Sequence, residues 1–280
     1  MTRREGMILL NVLLVMAVAS VAVLIMIAAQ DLEVQRSTRL RDAAQANAYA
    51  RAGELSAITA LRRDGLTAAA SDNLTEPWAQ LGQQEIAIPN GRFALAIEDE
   101  QSRFNLNALR TGDPGPIDLF QRIGASLDMD PAMMIRIATV VRVAGGLTDE
   151  GLILAAGVPR ADLDRLAPYV AILPGATGVN LNTVQLPLLT LMTRDPEVAR
   201  KLIEARTRKG YLTPADLAAE GAPTLLGTGY TSDHYRVTTT VTVGEVSQTL
   251  DSRIARVRGM GVVDVVVTGR RRTAGDPQGQ

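Results

Sequence analysis

Ser232, Asp233 and His234 are consecutive, and serine, carboxylate and imidazole are the groups that acyl transfer uses as nucleophile, orienting acid and base. That relay needs its members to converge from separate parts of a fold. Three neighbours at a strand start do not meet the requirement, and the trio reads as the turn opening a strand. His234 is the single histidine and there is no cysteine. These counts exclude a histidine-rich metal centre, a thiolate zinc site, a Cys nucleophile and a disulfide framework. The sequence has no P-loop, no HExxH and no Gly-x-Ser-x-Gly, and Gly227-Thr228-Gly229 lacks the following helix that phosphate binding needs. Lys201, Arg206, Arg208 and Lys209 could touch a phosphate backbone, but a solvated helix face explains them as well. Asp149 and Glu150 are too few for calcium, which takes about six to eight oxygens, and read as the acidic start of a helix. The expectation is therefore no catalytic residue, no metal ligand, no cofactor and no enzyme.

Among 280 residues, 46% are apolar and 29 basic residues nearly cancel 30 acidic ones. The length suggests about two domains, and a net charge of -1 argues against a protein that coats nucleic acid. With one Trp, five Tyr and three Phe, the core must be mostly aliphatic. Met7 to Ala29 is a run of 23 residues without a charge, interrupted only by Asn11 and Ser20. It reaches roughly 35 Å, enough for a bilayer core of about 30 Å. Arg3 and Arg4 before it predict a cytoplasmic N-terminus and put the rest of the chain on the other side. A cleaved signal peptide, a plain signal anchor and a membrane helix that continues into solution all compete. Gln30 to Arg63 has no proline, and Leu32, Leu40, Ala44, Ala48, Leu55 and Leu61 recur at mostly helical spacing. This favours one continuous helix of nearly 57 residues, on the order of 85 Å.

A short basic leader ending in glycine, an apolar helix from the next residue and an amphipathic extension together resemble the type IV pilin superfamily. The resemblance implies cleavage by a prepilin peptidase between Gly6 and Met7, with methylation of the new N-terminus. Glu5 departs from the pattern, because a basic residue often precedes that glycine. The fifth mature residue is Asn11, where most pilins resemble one another in having a glutamate that neutralises the N-terminus of the subunit above. A lone acid in apolar surroundings is costly, so Asn11 suits a subunit with nothing above it. A neutral residue also simply inserts better.

Further along, Glu85 to Ile88 and Phe93 to Ile97 alternate around Pro89-Asn90-Gly91-Arg92, a hairpin signal. Tyr235 to Val243 is rich in β-branched residues, Gly244-Glu245 makes a turn, a strand returns from Val246 to Val257, and Val262 to Thr268 reads as the last strand. The spacing predicts helices at Ile117–Leu127, Pro131–Val143, Thr148–Ala156, Arg160–Val170, Thr183–Met192, Pro196–Lys209 and Pro214–Glu220. Asp130, Asp195 and Thr213 each stand before a proline, an N-cap followed by Pro at the first helical position. The expected fold is α+β: a pilin-like long N-terminal helix plus an antiparallel sheet, with a large all-α inserted domain. The segments are a leader (1–6), the transmembrane (7–29) and amphipathic (30–63) halves of the helix, a first body part (64–115), the insert (116–228), the C-terminal strands (229–269) and a flexible tail (270–280).

This order looks like the K family of type II secretion minor pseudopilins (GspK). The echoes are Asp99-Glu100 leading to Phe104-Asn105-Leu106-Asn107-Ala108-Leu109, Leu166 to Pro174, Val179-Asn180-Leu181-Asn182-Thr183, and Ser232 to Val237 running on to Ser252 to Arg256. The resemblance implies a subunit that caps the pseudopilus tip and helps start its assembly. It implies minor pseudopilins I and J as partners, H and the major pseudopilin as further neighbours, and prepilin peptidase as processing enzyme. It also implies a single pass in the inner membrane with the bulk in the periplasm. Leu40 and Ala44 are then expected at a partner contact. The alanines at 43, 44, 46 and 48 suit close helix approach and equally suit packing on the protein's own sheet. Members commonly carry a longer acidic segment after the second insert helix, with which calcium has been associated. Here Val143-Ala144-Gly145-Gly146 runs almost directly into Leu147, so no such site is expected. Two alternatives stay open: a minor pilin of a related filament, and a membrane-anchored helix-hairpin-helix DNA binder. Against the second, Met192 to Pro196 has no glycine where that hairpin needs one, and Asp195 would repel phosphate; no nucleic acid is expected.

Overall fold

The structure, a computed structural model, describes residues 3–67, 70–82, 85–259 and 262–274. Helix α1 (Arg3–Thr67) runs unbroken for 65 residues, roughly 97 Å. No proline occurs before Pro77 to stop it. From Asp42 onward one face is buried, and its residues are small: Ala46, Ala50, Gly53 and Ala57, then Leu61. Small side chains let the helix lie close on the sheet. At Gly53 a Cβ would fall 2.8 Å from Thr239 Cγ2 and 2.9 Å from Phe93 Cζ, which leaves room for hydrogen only.

After α1, the turn-like helix α2 (Pro77–Gln80) buries Trp78. Strands β1 (Ile86–Ile88) and β2 (Gly91–Asp99) follow. Then come β3 (Phe104–Asn105), α3 (Pro114–Ser126), α4 (Pro131–Ala144), α5 (Gly151–Ala155), α6 (Arg160–Leu166), β4 (Val170–Ala171) and β5 (Val179–Asn180). Next are α7 (Leu186–Thr193), α8 (Pro196–Lys209), α9 (Pro214–Ala219) and β6 (Thr228–Gly229). The chain closes with β7 (His234–Val243), β8 (Val246–Gly259) and β9 (Val262–Ala274). Five strands form one antiparallel sheet in the order β1-β2-β7-β8-β9, and α1 packs on one side of it. The helices α3 to α9 stand between β2 and β7, so the sheet is interrupted in sequence and continuous in space. Two parallel pairs of two residues each, β3 with β4 and β5 with β6, tie the insert together near its root. The fold is thus the expected α+β architecture.

Among the described residues the buried apolar side chains form three clusters, two between α1 and the sheet and one in the insert. Under the sheet, Trp78 meets Tyr235 edge-to-face at 5.2 Å, among Ala57, Leu61, Val237 and Ile254. In the insert, Phe104 stacks on Phe120 at 6.1 Å, with Leu106, Ile137, Leu166, Leu189 and Leu202 around them.

Several boundaries differ from expectation. The first hairpin turns on Pro89-Asn90, with Asn90 at φ 59, and Gly91 is already a strand residue paired with Ile88. Gly91 is needed because a Cβ there would lie 1.8 Å from the Thr242 carbonyl oxygen. The helix from Arg160 stops at Leu166, since Val170 and Ala171 pair with Phe104 and Asn105. The helix expected from Thr183 starts at Leu186 instead, because the Thr183 backbone closes a turn onto Asn180. Arg270 does not begin a loose tail. Strand β9 continues to Ala274, with Arg270 on Glu54, Arg271 on Asp251 and Arg272 on Asn47. The tail positions 275–280 lie outside the described residues.

The insert also contains a repeat. Asp130-Pro131 to Leu152 aligns without a gap on Asp195-Pro196 to Leu217, matching Gly145, Leu147, Thr148 and Leu152 with Gly210, Leu212, Thr213 and Leu217. Helices α4 and α8 are both 14 residues long, and each is capped by its aspartate. Each unit is entered through Asn-Leu-Asn. Asn105 Oδ1 accepts from Asn107 N at 3.0 Å and Asn180 Oδ1 from Asn182 N at 2.9 Å. The second asparagine then holds the segment after the 14-residue helix: Asn107 Oδ1 accepts from Leu147 N at 2.7 Å, and Asn182 Oδ1 from Leu212 N at 2.6 Å.

Candidate functional site

The candidate site is the surface of α1 that the protein's own sheet leaves uncovered. Leu40, Ala44 and Ala48 are four residues apart, share one helix face, and are all exposed; Leu55 extends the same side. Leu40 is 65% exposed, which is unusual for a leucine flanked by a folded body. The alanines therefore divide. Ala46 is fully buried against the sheet, Ala43 is half-buried, and Ala44 and Ala48 face outward. Residues 11–41 are all exposed, so α1 projects from the body as a bare arm. From Asn11 onward it has a mean hydropathy of 3.0 over its most apolar 18 residues, the one helix among the described residues long and apolar enough to cross a membrane. Asn11 is exposed on that arm. Gly6 and Met7 continue the helix, but their side chains lie outside the described residues.

The arm is useful only if the body and insert are fixed to it, and a buried polar network does this. Asp99, at the end of β2, accepts from Asn180 Nδ2 at 3.0 Å, Ser232 Oγ at 2.6 Å, Gln101 N at 2.8 Å and the Thr183 hydroxyl. These donors come from both the ascending and the returning arms of the insert. Burial raises the Asp99 carboxyl to about 6, although the hydroxyls of Ser232 and Thr183 pull it down. Asn180 Nδ2 also reaches the Asp72 carbonyl, 2.9 Å away, just past the end of α1.

Beside this node, Asp64, Asp72 and Glu76 bring carboxylate oxygens within 4.8 Å of one another. A metal would fit that donor chemistry, but the oxygens are already engaged. Arg256, buried, binds Asp64 at 2.9 Å and also Asp72, and lies over the Tyr235 ring at 5.1 Å. Arg258 reaches Asp72 at 3.1 Å, and Glu76 accepts from Trp78 Nε1 at 2.7 Å and from Asn73. Burial raises both Asp64 and Glu76, and for Asp64 the neighbouring Glu76 charge adds to the rise. The cluster is a guanidinium-centred ion group clamping the α1 terminus to β8.

The remaining sequence candidates take structural places. The Ser232 hydroxyl is spent on Asp99, the Asp233 carboxylate pairs with Arg258, and His234 lies half-buried at the start of β7 with burial lowering its pKa. Asp149 Oδ1 accepts from Gly151 N and Glu150 pairs with Arg160. Arg206 donates to the Leu181 and Val184 carbonyls, and Lys209 binds Asp216.

No known family profile matches the chain. Over nine-tenths of its length it is 29% identical to type II secretion system protein K of Pseudomonas aeruginosa, covering 89% of that protein. It is 28% identical to type II secretion system protein K of Klebsiella pneumoniae, covering 79% of this chain and 80% of that one. Among solved structures, it is similar to a chain of the GspK-GspI-GspJ complex from the enterotoxigenic Escherichia coli type 2 secretion system, with a TM-score of 0.65 and 18% identity over 86% of this chain and all of that one. A bare helical arm, an antiparallel sheet split by a large helical insert, and two relatives of one kind aligned over most of their lengths converge: the chain is similar in sequence to type II secretion system protein K and in fold to a chain of the GspK-GspI-GspJ complex.

Proposed function

We propose that the protein caps the tip of a type II pseudopilus and helps initiate its assembly. The observation that carries this is the uncovered stripe Leu40-Ala44-Ala48-Leu55 on a helix whose opposite stripe is filled by its own sheet. Such a helix offers one free side for sister helices. In this reading the segment 7–29 holds the subunit in the inner membrane, with the body in the periplasm. Prepilin peptidase frees Met7, and the stripe packs against minor pseudopilins I and J, the two proteins named with GspK in the complex of the similar solved structure. H and the major pseudopilin follow below. Asn11 leaves no buried charge awaiting a subunit above, and the insert, rooted at the far end of α1, obstructs further stacking.

Leu40→Glu tests the contact. It places a charge on the free stripe, where folding does not depend on it. Co-purification of I and J with the full chain from membranes should fall at least tenfold, while the melting temperature stays within about 2 °C. Undiminished co-purification would remove this stripe from the interface.

A further inference from the structure

The repeat in the insert allows a comparison of like with like. Helices α4 and α8 occupy matched positions, and their inward residues correspond: Met134 with Ala199 and Ile137 with Leu202, all buried. Their outward residues do not. On α8 the solvent face carries Glu197, Arg200, Lys201, Glu204 and Arg208, and Arg200 bridges both glutamates. That face neutralises itself. On α4 the same positions are Ala132, Ile135, Arg136, Thr139 and Val143. Ile135 is 57% exposed and Val143 80%. At about 100° per residue these form one stripe, with Arg142 along one flank and Arg136 along the other.

Two more features belong to this face. A groove of about 150 Å³ opens beside Ile135 between α3 and α4, floored by Leu109, Ile117, Phe120, Met134 and Ala138, with Arg142 at its rim. Neither Arg136 nor Arg142 has a carboxylate partner among the described residues. Asp118 is paired with Arg122 and Arg194, and Glu150 with Arg160. An apolar stripe with a groove and two unneutralised guanidinium flanks is complementary to an amphipathic helix with carboxylates bordering its apolar side.

We infer that the outer face of α4 docks an acidic amphipathic helix of another protein. A lipid surface does not suit it. The insert is rooted beyond the α1 terminus, and Ala29 to Thr67 alone spans roughly 57 Å of helix from the apolar segment. On α3 and α8 the exposed carboxylates Asp118, Glu197 and Glu204 are already paired with arginines, so these helices do not supply the ligand. The surface is separate from the α1 stripe, so the two interfaces can fail independently.

The test uses the full chain in detergent and a fluorescein-labelled 21-residue amphipathic peptide of Leu, Ala and Glu, read by anisotropy. A scrambled peptide of the same composition and a Lys-for-Glu version serve as controls. The acidic helix should bind and both controls should not. Binding should weaken at least tenfold in Ile135→Glu with Val143→Glu, and again in Arg136→Glu with Arg142→Glu. It should be unchanged in Arg200→Glu on α8 and in Leu40→Glu on α1, all with unaltered melting. No binding by the wild type, equal binding of the scrambled peptide, or full binding by both α4 variants would overturn the inference. So would a wild-type dimer that Ile135→Glu with Val143→Glu converts to a monomer, since that would make a second copy the occupant.

Discussion

Asp99 carries the joint between sheet and insert by accepting four hydrogen bonds. Asp99→Ala would leave the Ser232 hydroxyl and the Gln101 amide without their buried acceptor, at about 1–3 kcal/mol for the first orphaned group, while Asn180 Nδ2 keeps the Asp72 carbonyl and Thr183 a longer contact to the Asn180 carbonyl. We expect a loss of about 3 kcal/mol in denaturant unfolding of the full chain, and a smaller loss for Asp99→Asn. The pH dependence has a definite sign. The folded carboxyl, at about 6, holds its proton more tightly than an unfolded aspartate near 3.9. Its contribution is therefore fully present below about pH 4 and fades as pH rises through 6. The advantage of the wild type over Asp99→Asn should shrink by roughly 2 kcal/mol between pH 4.5 and pH 7. A difference that does not change with pH would contradict the assignment. Arg256 is a harsher case. Arg256→Met leaves Asp64, Asp72 and Glu76 facing one another without their central cation, and breaking a buried ion group from one side costs about 3–5 kcal/mol. Melting of that variant should recover partly at pH 5, where the Asp64 carboxyl, raised to about 7 by burial, takes up a proton; equal losses at pH 5 and pH 8 would argue otherwise. These nodes were visible in the sequence only as words, Asp99-Glu100 and two copies of Asn-Leu-Asn. Nothing in spacing states that an asparagine at 180 will reach an aspartate at 99, because the contact exists only once the insert has closed.

At the scale of elements, α1 separates two roles that composition mixes. Ala44→Leu and Ala46→Leu are the same change two residues apart. Ala46 is fully buried, so the larger side chain overpacks the sheet contact and should cost about 1–3 kcal/mol. Ala44 faces solvent, so the cost should stay within about 0.5 kcal/mol while partner capture falls. If both variants melt alike, the division of faces is wrong. The elements themselves were largely legible. Proline after an N-cap marked α4, α8 and α9 at the correct residue, because the fixed proline φ and the capping oxygen act locally. Alternation and turn residues marked β7 and β8. The limits failed where a distant partner decides. The sequence-based reading ended β9 at Thr268, but Arg270 and Arg272 find Glu54 and Asn47 on α1, more than two hundred residues earlier. The repeat of α4 and α8 escaped notice because exchanging an apolar for a charged outer face hides a shared frame.

The whole molecule divides its labour. The helix α1 is anchor and spine, the sheet covers one of its faces, and the insert sits at its far end, fastened by Asp99 and Arg256. Such a build suits a subunit that enters a filament by its helix and ends it by its bulk. The proposed capping role also requires cleavage between Gly6 and Met7. The mass of the N-terminal peptide of membrane-extracted protein, taken with and without prepilin peptidase, tests this most directly. A chain beginning at N-methylated Met7, found only when the peptidase is present, is the predicted result. An intact Met1 in both cases, or a cut beyond Ala29, would contradict the account.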